Sequence, residues 1–89
     1  MPVSPVLNVG FYNFVATNHI VAMVSSDSAP MRRLVQSVRK SGQLIDATQG
    51  HRTKSIIFTQ NQQVILSAIS QEILARRLVS GEMGSAEEE

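Results

Sequence analysis

The chain reads as an α+β fold, a small antiparallel sheet carrying two short helices, and three observations predict it. Short runs rich in β-branched and aliphatic residues recur at Val6–Val9, Ile20–Ser25, Leu44–Thr48, Thr53–Thr59 and Gln63–Ile69. Two segments, one after Ser28 and one after Ser70, space their apolar residues with a helical period instead. The resulting order is strands, helix, a meander of three strands, helix. At 89 residues this is one domain, and on folding a chain of that size buries only roughly 60% of the surface it exposes unfolded.

Val6–Val9 is a first short strand after Pro5, and Gly10 breaks it, with a turn expected over residues 10–13. Three of the four aromatic residues, Phe11, Tyr12 and Phe14, gather there. Base-stacking platforms interleave aromatics with basic residues, and this segment has none, so core or interface packing is the favoured reading. Thr17-Asn18-His19 is a turn into Ile20–Ser25, a run apolar on both faces. Ile56-Ile57-Phe58 and Val64-Ile65-Leu66 share that character. Two short helices offer little cover for so many two-sided strands, so a second copy of the chain is expected to supply the rest.

Asp27-Ser28-Ala29-Pro30 is a helix start, with a cap and a first-turn proline whose missing N–H is not needed. Met31, Leu34, Val35 and Val38 then form one apolar stripe, and Gly42 ends the helix. Its other side, with Arg32, Arg33, Gln36, Arg39 and Lys40, is a basic band without an acid. Leu44–Thr48, the Gln49-Gly50 turn and Thr53–Thr59 are expected to form a hairpin whose second strand is basic at its tip, with Arg52 and Lys54, and apolar at its base. Asn61-Gln62 marks a further turn into the third meander strand. Ser70 caps a final helix, Gln71 to about Ser80, with Ile73, Leu74 and Leu78 on its buried side.

Charge divides along the chain. Residues 1–80, the folded domain, hold all eight Lys and Arg and three acids, Asp27, Asp46 and Glu72, so eight minus three leaves +5. Residues 81–89 hold four glutamates, an acidic tail expected to be disordered. A basic body favours a polyanionic partner. The absence of cysteine excludes disulfides and catalytic thiols. His19 and His51 lie 32 residues apart with no ligand-spaced companions, and no nucleophile elbow, phosphate loop or dinucleotide fingerprint is present. Asp46 reads as a hydrogen-bonding residue and not a base. Neither enzyme activity, cofactor, metal nor small-molecule substrate is expected. The longest apolar run, Ile20–Val24, is far too short for a bilayer, and a cytoplasmic protein is the expectation.

The segments NVGFYNFVATNHIVAMVS, SAPMRRLVQSVRKSGQLIDATQGHRTKSIIF and VILSAISQEILARRL together resemble the RemA family of small bacterial DNA-binding regulators of extracellular-matrix and biofilm genes. The resemblance covers about Asn8 to Leu78. It implies a ring-shaped homo-oligomer that binds double-stranded DNA along its basic outer surface, in association with the nucleoid. It also implies two arginine positions central to DNA binding. One falls on Arg52, which is retained. The other falls on His19, after Asn18, where better-known members carry arginine; His51 likewise stands for a frequent arginine, and Lys54 keeps the charge of its position. A permanently charged bidentate fork is thereby exchanged for imidazole, which implies weaker, pH-dependent binding or a different target.

The contact set expected is Arg52, Lys54, His51, His19 and Asn18, with Arg32 and Arg33 of the first helix. A ring would repeat modest phosphate contacts, and wrapping would favour deformable, A·T-rich DNA. The competing readings are an oligomeric scaffold docking an acidic protein, and RNA binding, for which exposed aromatics among the basic residues are wanting.

Overall fold

The computed structural model describes residues 6–81. Two strands, β1 (Val6–Asn8) and β2 (Phe14–Ala16), form an antiparallel ribbon, and a single 3₁₀ turn, Thr17–His19, leads out of it. β3 (Ile20–Ser25) enters the main sheet, α1 (Ala29–Ser41) follows, and then β4 (Leu44–Asp46), β5 (Ser55–Thr59), β6 (Val64–Ser67) and α2 (Gln71–Ser80). The expected α+β class with two helices holds. β2 is an addition: its three residues are too few to show a period beside the aromatic cluster. Gly81 caps α2, and the rest of the tail expected over 81–89 lies outside the described residues.

Both helices begin and end where local chemistry places them. Ser28 and Ser70 are the N-caps, their hydroxyls accepting from the N–H groups of Met31 and Ile73. Gly42 and Gly81 end them in the left-handed conformation, φ 82° and 80°.

Strand pairing departs from the expected meander. The sheet order is β3-β5-β6-β4, with β3–β5 and β5–β6 antiparallel but β4 parallel to β6. The expected hairpin of residues 44–48 with 53–59 therefore does not form. Gln49-Gly50 does turn, with the His51 N–H donating to the Thr48 carbonyl and φ positive at both central residues. The segment from Ala47 to Lys54 nevertheless carries the chain away from β4, and a connection that long does not impose tight hairpin register. Burial decides the partners instead. β5 and β6 are apolar on both faces and take the centre, while β4, whose Ile45 and Asp46 are exposed, stands at an edge. β3, α1 and β4 thus make a parallel crossover with the β5–β6 hairpin inserted between its strands.

The two faces of this sheet hold separate cores. On one, Ile57 and Ile65 pack with Leu7 of β1, Val9 just after it and Leu74 of α2, all buried, together with Ala47 and Ile69. On the other, Ile56, Val64 and Leu66 lie under Met31, Val35 and Val38 of α1. Both faces of the central strands are covered within one chain, which corrects the expectation that a second copy is needed to cover them. The apolar residues left exposed lie elsewhere. Val21 is 65% exposed at an irregularity in edge strand β3, Ile45 lies on edge strand β4, Tyr12 and Phe14 stand on the ribbon, and Val79 lies on the outer side of α2. No helix among the described residues is long and apolar enough to cross a membrane.

Candidate nucleic-acid interface

The loop from Ala47 to Lys54 is held at one end of the sheet. The Ala47 N–H donates to Leu66 O, the Lys54 N–H to Ser67 O, and the Ser26 N–H to Lys54 O. The Ser26 hydroxyl donates to Thr53 O at 2.8 Å. Asp46 fixes the entry to the loop: its Oδ1 accepts from the Thr48 hydroxyl at 2.6 Å and from the Thr48 N–H at 3.0 Å. These bonds, the side-chain one foremost, hold its carboxyl below the usual carboxylate range. Asp46 is thus a hydrogen-bonding residue, as its sequence context suggests.

Between this loop and α1 runs an open groove of about 440 Å³. Met31, Val35, Ile56 and Leu66 contribute apolar lining, and Arg32, Gln36, Arg39, Arg52 and Asp27 contribute polar lining. Three arginines from two distant segments thus line one groove together with one carboxylate. Arg52 is 81% exposed and contacts Asp27, itself 75% exposed, at 3.6 Å. So exposed a pair contributes little to stability and leaves Arg52 free to exchange partners. Beyond Arg52 and Asp27 lies a second cleft of about 390 Å³, lined also by Lys54, Glu72 and Ser70 at the start of α2.

The ribbon's turn reaches the same loop. The Asn13 N–H donates to Gly10 O at 2.9 Å, and the Val9 N–H donates to Asn13 O at 2.8 Å. Both central residues have positive φ, Phe11 at 55° and Tyr12 at 58°, a conformation that Asn and Gly normally supply. Two bulky residues held there cost on the order of 1–3 kcal/mol each. The Phe11 ring stacks on the His51 imidazole, centroids 5.1 Å apart and planes at 20°, and Tyr12 stacks on Phe14 at 5.8 Å and 22°. Tyr12 is 51% and Phe14 48% exposed, so of the expected core or interface packing the core part does not hold for these two rings. Only the tertiary structure brings His51 against the aromatic cluster.

Of the expected contact residues, Arg52, Lys54, His51 and Arg32 collect at this one end, and Arg33 is exposed on α1 outside the groove lining. Asn18 and His19 do not join them. The His19 carbonyl accepts from the Gln60 N–H, past the far end of β5, whereas Lys54 precedes its near end. Six residues of extended chain separate those positions by about 20 Å. Arg39 and Gln36, absent from the expected set, line the groove; their place in the acid-free band of α1 was the available signal. Arg77, which composition counts with the basic surface, is buried, its Nη1 donating to the Asn8 carbonyl at 2.9 Å.

Residues 6–78 match the RemA-like family, described as extracellular matrix regulatory protein A-like. The chain belongs to the RemA-like family. Its similarity to curated relatives is high along almost the whole length. A protein of Halothermothrix orenii is 51% identical over 79 residues, 89% of this chain and 93% of that one. A protein of Desulforamulus reducens is 48% identical over 82 residues, 92% of this chain and 91% of that one, and a Synechococcus protein 45% identical over 82 residues, 92% of both. All three are provisionally named regulatory proteins. A regulatory role is thus what this RemA-like chain shares with its relatives.

Proposed function

We propose that this protein is a DNA-binding transcriptional regulator that works as a homo-oligomeric ring at the nucleoid, with A·T-rich or otherwise deformable duplex as its target. The observation that carries the reading is the convergence of Arg32, Arg39 and Arg52 on one groove with only Asp27 as a carboxylate in its lining. A duplex presents a phosphate charge about every 1.7 Å of its axis, and guanidiniums answer phosphate in bidentate geometry. Lys54 extends the basic surface toward α2.

Assembly is supported by the apolar groups that the single chain leaves uncovered on its two edge strands, Val21 and Ile45. It also supplies a use for Asn18 and His19. They lie at the opposite end of β5 from Lys54, and a closed ring would set one subunit's His19 end and another's Arg52 end along the same DNA.

The test is fluorescence anisotropy of a labelled A·T-rich duplex across a salt series, paired with light scattering. Expected are an assembly larger than one chain and a steep log-linear loss of affinity with salt. Arg52→Ala should abolish binding with assembly mass unchanged. A shallow salt slope with affinity instead for an acidic protein would favour the scaffold reading. Undiminished DNA affinity in Arg52→Ala would falsify the site.

A further inference from the structure

We infer that the ribbon turn at Phe11 and Tyr12 is an aromatic wedge that enters a base step of the duplex next to the phosphates held by Arg52. The inference rests on the DNA-binding reading and extends it from backbone charge to contact with bases.

The turn is strained where a glycine or asparagine would be at ease, yet it is firmly held. The Gly10 N–H donates to Asn8 Oδ1 at 2.9 Å, and the Asn13 side-chain amide donates to Gly10 O at 2.8 Å. Below it, the buried Ser67 hydroxyl donates to Val9 O at 2.7 Å. Gly10 lies against Ile69, so close that a β-carbon there would stand 3.3 Å from the isoleucine side chain. These contacts fix the backbone but leave Tyr12 51% exposed, so the strain at that residue is not offset by burial. An exposed aromatic retained at such a cost points to a role outside the chain's own fold.

Geometry indicates what the rings meet. Both stacked pairs lie within 22° of parallel, so they display flat faces, the arrangement that suits a nucleobase. Phe11 lies on His51, and exposed Arg52 follows His51 in the chain, so the turn rests on the loop that carries that cation. Proteins that insert apolar side chains at a base step place cationic side chains beside the insertion and kink the duplex there. That chemistry favours duplex DNA over a second copy of this chain as the partner of the turn.

The test uses the full chain and an A·T-rich duplex carrying 2-aminopurine, whose fluorescence rises on unstacking. The wild type should bind with a fluorescence increase. Tyr12→Gly should raise the melting temperature by relieving the turn, keep the salt slope, weaken binding about tenfold and remove the fluorescence increase. Tyr12→Phe should restore both affinity and signal. Unchanged affinity and fluorescence in Tyr12→Gly would overturn the wedge and leave the Arg52 contact standing. A changed assembly mass in that variant would overturn it in favour of contact between copies. No salt-dependent binding by the wild type would remove both readings together.

Discussion

The two faces of the central sheet are finished differently. The face under α2 and the ribbon is sealed: Leu7, Val9, Ile57, Ile65, Ile69 and Leu74 are all buried, and buried polar groups are bonded into it. Arg77 donates to the Asn8 carbonyl, Ser55 Oγ to Ile69 O at 2.7 Å, and Ser67 Oγ to Val9 O. Under α1 the strand residues of the other face are buried too, but the helix over them is not. No residue of α1 is fully buried, and a groove with arginines in its lining lies between the helix and the Ala47–Lys54 loop. One face is therefore sealed by its helix and ribbon, while the other leaves room beside its helix for charged side chains.

Truncations on the two faces would break or sharpen that contrast. Leu74→Ala on the sealed face should cost about 2–5 kcal/mol in denaturant unfolding. Val35→Ala, half-buried beneath the open groove, should cost about 1 kcal/mol, because solvent already reaches the site. Equal losses would show that the groove closes in solution.

A smaller effect belongs to the groove's one carboxylate. Asp27→Asn removes the partner of Arg52 and raises the local charge by one unit. DNA affinity at low salt should rise a fewfold while stability stays within about 0.5 kcal/mol. An unchanged or weakened affinity would place the DNA elsewhere than on this groove.

The smallest effect concerns Asp46. Its carboxyl is held below the ordinary carboxylate value by Thr48, so it binds its proton less readily folded than unfolded. The resulting stability is present above the unfolded value, about 3.9, and is lost as the pH falls through the lower folded value. Asp46→Asn should flatten the acid limb of a stability–pH curve slightly and leave the curve near neutrality parallel to that of the wild type. A difference between the two curves that keeps growing above about pH 6 would contradict that assignment.

Elements were legible where their signals are local. Ser28 with Pro30, Ser70, and the terminal glycines mark both helices, since a cap acts within one turn of chain. The stripe of α1 and the apolar runs of β3, β5 and β6 likewise declare themselves in neighbouring residues. Arg52, Lys54, His51 and Arg32 could be named as one basic group because three of them lie together in sequence and Arg32 stands in a helix band without acids.

What only the tertiary structure decided is which of these segments meet. β4 could pair with β5 through a nearby turn or with β6 at a greater distance, and the choice fell to the need of two doubly apolar strands for central positions. That same choice puts the β5–β6 hairpin inside the crossover, frees the Ala47–Lys54 loop to face α1, and seats His51 on Phe11. It also separates His19 from Arg52 and draws Arg77 inward to a backbone carbonyl. Sequence determines a cap or a period because its partners are a few residues away. Strand order, burial and the makeup of the groove are settled by competition among distant segments for the same interior.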